Sequence, residues 1–281
     1  MANILLSAFS DEYAASFEEQ LSAMKGFGIG YIEPRFIDGK NVSALTREER
    51  ARTKALLDRD GIKASAIGSP LGKIRLDEDM EAHLALAESV FETASLFGAK
   101  YVRVFSFYAP EGKDIGDMKI DVLSGLERLV LLARKYGVTL CHENEAKIYG
   151  DTPARIRTLL DHFDGELACV YDMGNYVLEG VEPLSTYPLF QKDIAYFHIK
   201  DALFAGAIVP PGKGEAKIRE ILSLHKEYAK EDFFVSLEPH LECFSGLHKL
   251  VGRGFENPYK YENEKAAFTD AVTLFKEMMA L

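Results

Sequence analysis

Four stretches of this chain carry residues that could do chemistry, and all four have the same form. Gly137-Val138-Thr139-Leu140-Cys141-His142-Glu143-Asn144-Glu145 crosses an apolar interior and ends in a run of polar side chains. Leu167-Ala168-Cys169-Val170-Tyr171-Asp172 ends in an acid. Ile194-Ala195-Tyr196-Phe197-His198-Ile199-Lys200-Asp201 ends in His, Lys and Asp, and Phe233-Phe234-Val235-Ser236-Leu237-Glu238-Pro239-His240 ends in Glu and His. Side chains alternate in direction along a strand. If Glu143 points inward, Cys141 and Thr139 do too. The same parity joins Val170 to Asp172, Tyr196 to His198 and Ser236 to Glu238. Glu143, Asp172, His198 and Glu238 then converge at one end of four consecutive strands. Three carboxylates and an imidazole suit one divalent cation. Carboxylate-rich sets favour Mn²⁺ or Mg²⁺, with Zn²⁺ or Co²⁺ next.

The elements that position these residues follow a strand–helix rhythm of about 35 residues. Apolar runs at Asn3–Phe9, Ile29–Glu33, Ile62–Ile67 and Lys100–Phe105 precede the four above. Between them lie helical stripes such as Phe17, Leu21 and Met24, with Ser10-Asp11 as the expected cap of the first helix. Thr46-Arg47-Glu48-Glu49 has the spacing of a capping box, and Thr152-Pro153 puts proline at a first helical position. Further helices are expected from about Asp79 to Phe97 and from about Asp117 to Tyr136, with a last one from about Glu262. A weak, Pro-broken segment spans Glu182–Lys192. Short apolar strands alternating with longer helices imply a parallel sheet covered on both faces. Eight such units predict one α/β domain over residues 1–281, a (β/α)8 TIM barrel. The competing open doubly wound sheet carries a glycine-rich loop after its first strand. Here that position reads Ser7-Ala8-Phe9-Ser10-Asp11.

Composition narrows the partners. A net charge of −11 lacks the basic surface that nucleic acid or an anionic membrane requires. No apolar run approaches the roughly 18 residues that span a bilayer, and Met1-Ala2-Asn3-Ile4 does not begin a signal peptide, so a cytoplasmic protein is expected. The three cysteines, Cys141, Cys169 and Cys243, have no CxxC spacing, and the first two are expected in the core. His142 has the wrong parity for the interior and is expected to be a structural hydrogen-bonder. His83, His162 and His225 fall on helices, as surface or packing residues. The long loops Phe107–Gly116, Ala202–Gly214 and Glu238–Glu262 all follow strands; the last holds His240, His248, Arg253, Tyr259 and Tyr261.

The four strand ends resemble those of the xylose isomerase-like TIM-barrel superfamily, which includes sugar isomerases and epimerases, inosose dehydratase and endonuclease IV. Gly137 to Glu143 is similar to a fifth strand whose Glu binds metal. Tyr171-Asp172-Met173-Gly174-Asn175, Phe197-His198-Ile199-Lys200-Asp201 and Val235-Ser236-Leu237-Glu238 resemble the sixth, seventh and eighth strand motifs. Ile32-Glu33-Pro34-Arg35 resembles a second-strand end whose Glu contacts substrate. Two positions depart from the epimerase pattern: Asn175 stands where many members have His, and no Arg follows His198 closely. The third strand ends Gly68-Ser69-Pro70 without a His, unlike endonuclease IV.

The resemblance implies a metal-dependent sugar or sugar-phosphate isomerase or epimerase working through an enediolate, with Glu143 and Glu238 as catalytic base and acid. A dehydratase or lyase acting on a keto-sugar or inosose-like polyol would use the same metal site. A non-catalytic sugar-binding or partner subunit is a third reading. Glu33, Arg35, Lys200, His240 and Glu145 are the expected contacts to substrate hydroxyls or a phosphate. The expected partner is a small carbohydrate. Members of the group often pair, so a homo-oligomer is one expectation.

Overall fold

The computed structural model describes residues 2–241 and 258–281. Eight strand positions follow one another in the chain: β1 (Ile4–Ala8), β2 (Tyr31–Ile32), β3 in two pieces (Lys63–Ala64 and Ala66–Ile67), β4 (Tyr101–Val104), β5 (Thr139–Glu143), β6 (Leu167–Asp172), β7 (Ile194–Ile199) and β8 (Phe233–Leu237). A continuous parallel ladder of seven strands runs from β1 through β8, β7, β6, β5 and β4 to the second piece of β3. The first piece of β3 pairs in parallel with β2. Glu33 N donates to Ala8 O at 2.9 Å, which ties the end of β2 to β1. The sheet is therefore the expected parallel barrel, with β2 as its thinnest stave. Pro34 has no N–H to extend that strand.

Helices cover the outside: α1 (Phe17–Gly26), α2 (Arg47–Asp60), α3 (Met80–Phe97), α4 (Lys119–Tyr136), α5 (Pro153–Phe163), α6 (Met173–Leu178), α7 (Pro183–Phe190), α8 (Ile218–Tyr228) and α9 (Glu264–Met279). The Thr46 capping box is complete: its hydroxyl accepts from Glu49 N, and the Glu49 carboxylate accepts from Thr46 N. Gly137 ends α4 at φ +65°, a left-handed turn that glycine adopts without a Cβ clash. Among the described residues, no helix is long and apolar enough to cross a membrane.

Two local expectations differ from what forms. Ser10 and Asp11 do not cap α1: Ser10–Glu12 is a separate 3-10 turn, and Ser16 precedes the helix. The turn is buried, because Asp11 and Glu12 are turned into the barrel mouth. A short helix, α6, also starts directly after Asp172, whose carboxylate caps it by accepting from Asn175 N. Met173, Tyr176 and Val177 give it a buried apolar face at i, i+3 and i+4, but over only six residues.

Strand alternation sorts the core into two layers. Cys141, Val170, Tyr196 and Ala66 pack together inside the barrel. Cys169, Tyr171 and Phe197 face the helices. One-residue alternation therefore decides which strand-end side chains reach the mouth.

Candidate metal and active site

Each strand places its terminal side chain by register. His198 lies opposite Asp172 on one side and Ser236 on the other. Glu143 is the last residue of β5, and Glu238 follows β8 immediately, its amide donating to Ile199 O at 3.0 Å. Glu143, Asp172, His198 and Glu238 are all buried, and each offers one ligand atom such that the four lie within 4.8 Å of one another. His198 Nδ1 is 3.0 Å from Glu143 Oε1 and 3.5 Å from Glu238 Oε2.

The other face of the imidazole is held by Glu33. His198 Nε2 is 3.1 Å from Glu33 Oε2, and Tyr196 Oη donates to Glu33 Oε1 at 3.0 Å. A proton on Nε2 satisfies Glu33 and leaves Nδ1 directed at the carboxylate ring. This is the outer-shell arrangement that fixes the tautomer of a ligating histidine. Burial disfavours the imidazolium, but Glu143 and Glu33 outweigh it and carry the ring up to about 10. Ligation requires a neutral ring, so a cation seated among these carboxylates displaces a proton.

Three cations share the mouth. Lys200 Nζ reaches Asp172 Oδ2 at 3.0 Å, Asn175 Oδ1 at 3.2 Å and Glu238 Oε2 at 3.2 Å. Arg35 donates to Asp11, Glu12 and Glu238 Oε1 at 3.0, 3.1 and 2.8 Å. Arg103 Nη1 lies 3.1 Å from Glu143 Oε2 and 3.5 Å from Glu238 Oε1. The Phe9 ring lies beneath both guanidinium groups, 4.3 and 5.1 Å from its centroid. A Cβ on Gly68 would lie 2.5 Å from that ring, so glycine is required there by close approach.

Six buried carboxyl groups, Asp11, Glu12, Glu33, Glu143, Asp172 and Glu238, thus face Lys200, Arg35, Arg103 and the imidazole of His198. A divalent ion would take over the charge that the His198 proton supplies to this ring. The environments push the carboxyls apart. Burial raises Glu12 to about 8 and Asp172 to about 7 against the pull of Arg35 and Lys200. Burial also works to raise Glu143, but His198 and Arg103 outweigh it and hold that carboxyl down at about 2. Glu143 Oε2 is buried and accepts no hydrogen bond despite its nearness to Arg103. The donor set, and a Glu143 Oε2 that accepts no hydrogen bond, fit a hard divalent cation.

Backbone devices fix the ring. Asn144 donates from Nδ2 to Asp172 O at 2.9 Å and accepts from Asp172 N at 3.0 Å, tying the ends of β5 and β6 together. Asn175 donates to Asn144 O at 2.8 Å. A Cβ on Gly174 would lie 2.6 Å from Lys200 O, so glycine lets α6 approach the end of β7.

The residues expected from the sequence are not all gathered in one place. Glu33 has both carboxylate oxygens on His198 and Tyr196, and Arg35 is fully buried among acids. His240, at φ +50°, lies 3.3 Å from Glu12 and 3.5 Å from Glu238. Glu145 lies farther out, ion-paired with Lys73 at 3.2 Å. His142 is buried on the outer side of β5, with Nε2 3.0 Å from Ser106 Oγ. His83 and His225 are packing residues, and His162 is at the surface. Cys243, His248 and Arg253 lie outside the described residues.

Sequence reasoning missed Asp11, Glu12 and Arg103. For Arg103 there was a signal: it is a lone charge inside the apolar run 100–105, and its partner across the ladder is Cys141, which faces inward.

The comparisons with known proteins agree with this architecture. The family model described as xylose isomerase-like TIM barrel matches residues 21–266. No curated protein matches the chain. Among solved structures, a xylose isomerase-like TIM barrel protein from Mycobacterium smegmatis in complex with magnesium is 16% identical with a TM-score of 0.71, over 100% of this chain and 97% of that one. The probable 3-DHS dehydratase AsbF of Bacillus anthracis is 17% identical with a TM-score of 0.71, over 98% and 99% of the two chains. The 3-keto-D-glucoside 4-epimerase YcjR of E. coli is 16% identical with a TM-score of 0.72, over 99% and 100%. At these identities the likeness is one of fold.

Proposed function

From the premise that this chain belongs to the xylose isomerase-like TIM barrel family, we propose that it is a divalent-metal-dependent sugar or sugar-phosphate isomerase or epimerase. The observation that carries this reading is the buried ring of Glu143, Asp172, His198 and Glu238, with ligand atoms within 4.8 Å of one another. Glu143, Asp172, His198 and Glu238 would hold one Mn²⁺ or Mg²⁺, with Zn²⁺ or Co²⁺ next in preference. When bound, such an ion supplies Lewis-acid polarisation of neighbouring substrate oxygens.

The chain's own residues handle the protons. Glu143 and Glu238 both lie against His198 Nδ1, at 3.0 and 3.5 Å, and the neighbouring charges favour the carboxylate form of each in the resting site. One, as the carboxylate, removes the proton beside the substrate carbonyl and becomes the acid; the other must have taken up a proton before it can return one to the enediolate. Return to the opposite face of the same carbon gives an epimer. Return to the adjacent carbon gives an aldose–ketose shift. The low accessibility of the ring keeps bulk water from quenching the carbanionic species. The substrate is a small carbohydrate, and the reaction takes place in the cytoplasm.

One feature favours the lyase alternative on a keto-sugar or inosose-like polyol. The Lys200 ammonium, 3.2 Å from Glu238 Oε2, is a second proton-bearing group. Departure of a hydroxyl needs such a donor, and a simple proton return does not.

The test is solvent deuterium incorporation. Protein reconstituted with Mn²⁺ is incubated in D₂O with ketoses, their phosphates and inosose-like polyols, and products are read by NMR. Isomerase or epimerase chemistry gives the isomeric sugar, with label at the reacting carbon where the transferring carboxyl exchanges with solvent, and lyase chemistry gives a dehydrated product. Glu238→Gln and Glu143→Gln should each lose at least about 10²-fold in turnover. A Glu238→Gln protein with full turnover would remove Glu238 from the acid–base pair. If wild type binds carbohydrate without label or product, the chain is a binding protein.

A further inference from the structure

Lys200 and a divalent ion require the same oxygens. The Lys200 ammonium has three donors, and they meet Asp172 Oδ2, Asn175 Oδ1 and Glu238 Oε2 at 3.0, 3.2 and 3.2 Å. Asp172 Oδ1 is already committed to Asn175 N at 2.9 Å. The free side of the Asp172 carboxylate is therefore the side that Lys200 occupies. Glu238 is in the same position. Its Oε1 is held by Arg35 at 2.8 Å with Arg103 at 3.5 Å, and its Oε2 is shared between Lys200 and His198 Nδ1.

The Lys200 backbone has little freedom to relieve this. Gly174 sits so close that an added Cβ would be 2.6 Å from Lys200 O and 2.7 Å from Lys200 Cβ. The side chain, by contrast, can swing about its flexible stem. The motif Phe197-His198-Ile199-Lys200 thus delivers a ligand and, two residues later, a positive charge that contests the other ligands.

We propose that Lys200 is an internal counter-cation that competes with the divalent ion for Asp172 Oδ2 and Glu238 Oε2. This rests on the metal-site reading above. Loading the site turns the ammonium away from these two oxygens and toward a substrate oxygen at the barrel mouth. Displacing Lys200 from these oxygens weakens metal binding, and contact of the turned ammonium with substrate offsets that cost. The two interactions are then coupled: substrate should tighten metal binding in wild type, through Lys200.

Equilibrium dialysis against Mn²⁺ tests this on the full chain, with and without a polyol found in the substrate screen. Like charges this close repel strongly in a buried site. Lys200→Met and Lys200→Gln should therefore each bind Mn²⁺ at least roughly tenfold tighter than wild type. Lys200→Arg, which keeps the charge, should not. Lys200→Gln keeps hydrogen-bonding capacity and guards against a folding defect in Lys200→Met, which a thermal melt would show. If wild type binds Mn²⁺ and both neutral variants bind it equally or more weakly, Lys200 supports the ligands and the competition is refuted. If neither wild type nor any variant binds Mn²⁺, the metal-site reading fails and this proposal falls with it.

Discussion

His198 Nε2 lies 3.1 Å from Glu33 Oε2 inside the barrel, and this contact decides that Nδ1 faces the carboxylate ring. Glu33 belongs to the end of β2, and its amide reaches across to Ala8 O. The thinnest stave of the barrel therefore orients the imidazole of the Glu143, Asp172, His198 and Glu238 ring.

Glu33→Gln keeps the shape of this contact and removes its charge. Outer-shell partners of ligating histidines typically contribute 10- to 100-fold to metal affinity. We expect Mn²⁺ binding by isothermal titration calorimetry to weaken by about tenfold in Glu33→Gln, with an unchanged circular dichroism spectrum. Unchanged affinity would show that Glu33 does not set the tautomer.

Gly174→Ala places a methyl group against the Lys200 backbone, at 2.6 Å from its carbonyl oxygen. Backbone cannot yield as a flexible side chain does, so α6 or the end of β7 must shift. Overpacking of this kind costs about 1–3 kcal/mol. Urea unfolding should show that loss. A Gly174→Ala protein as stable as wild type would mean that α6 moves without cost.

His225 is buried under α8, its Nδ1 3.0 Å from Tyr187 Oη, and burial pushes the ring down to about 4. Its folded value lies below the unfolded value of about 6.5. The neutral ring's contribution to stability is therefore fully present above pH 6.5. It is lost as the pH falls through 6.5 toward 4, because the unfolded chain binds the proton first. Urea midpoints at pH 7 and pH 5 should differ more in wild type than in His225→Gln, and equal differences would count against this assignment.

Thr46→Ala removes one half of the capping box at the exposed start of α2. The expected loss is about 1 kcal/mol, read from chemical denaturation, with Mn²⁺ binding unaffected. The cap bonds Thr46 to Glu49 and to none of the ring residues, so altered metal affinity would reveal an unexpected coupling.

Much of the site was legible because it depends on local rules. Glu143, Asp172, His198 and Glu238 stand at the ends of apolar runs, and the alternation of Cys141, Val170, Tyr196 and Ser236 below them follows from strand geometry alone. The Thr46 box and the glycine after α4 were equally local. Ser10-Asp11 misled because a cap signal says nothing about burial. Asp11 has the residue type to cap a helix, and in the fold its carboxylate meets Arg35 instead.

By itself, then, the sequence determined the alternation of the eight strands with their longer helices, the parity of the site-bearing strands and the residue types at their ends. These follow from backbone periodicity and need no partner from elsewhere in the chain. Only the tertiary structure decided how those ends are charged and held. Glu12 accepts from the amide of His240, 228 positions away, and Arg35 reaches Glu238 over 203. Arg103 meets the same carboxylate from the opposite side of the mouth. Such contacts exist because the parallel ladder brings β8 beside β1, and no pattern along the chain encodes that adjacency residue by residue.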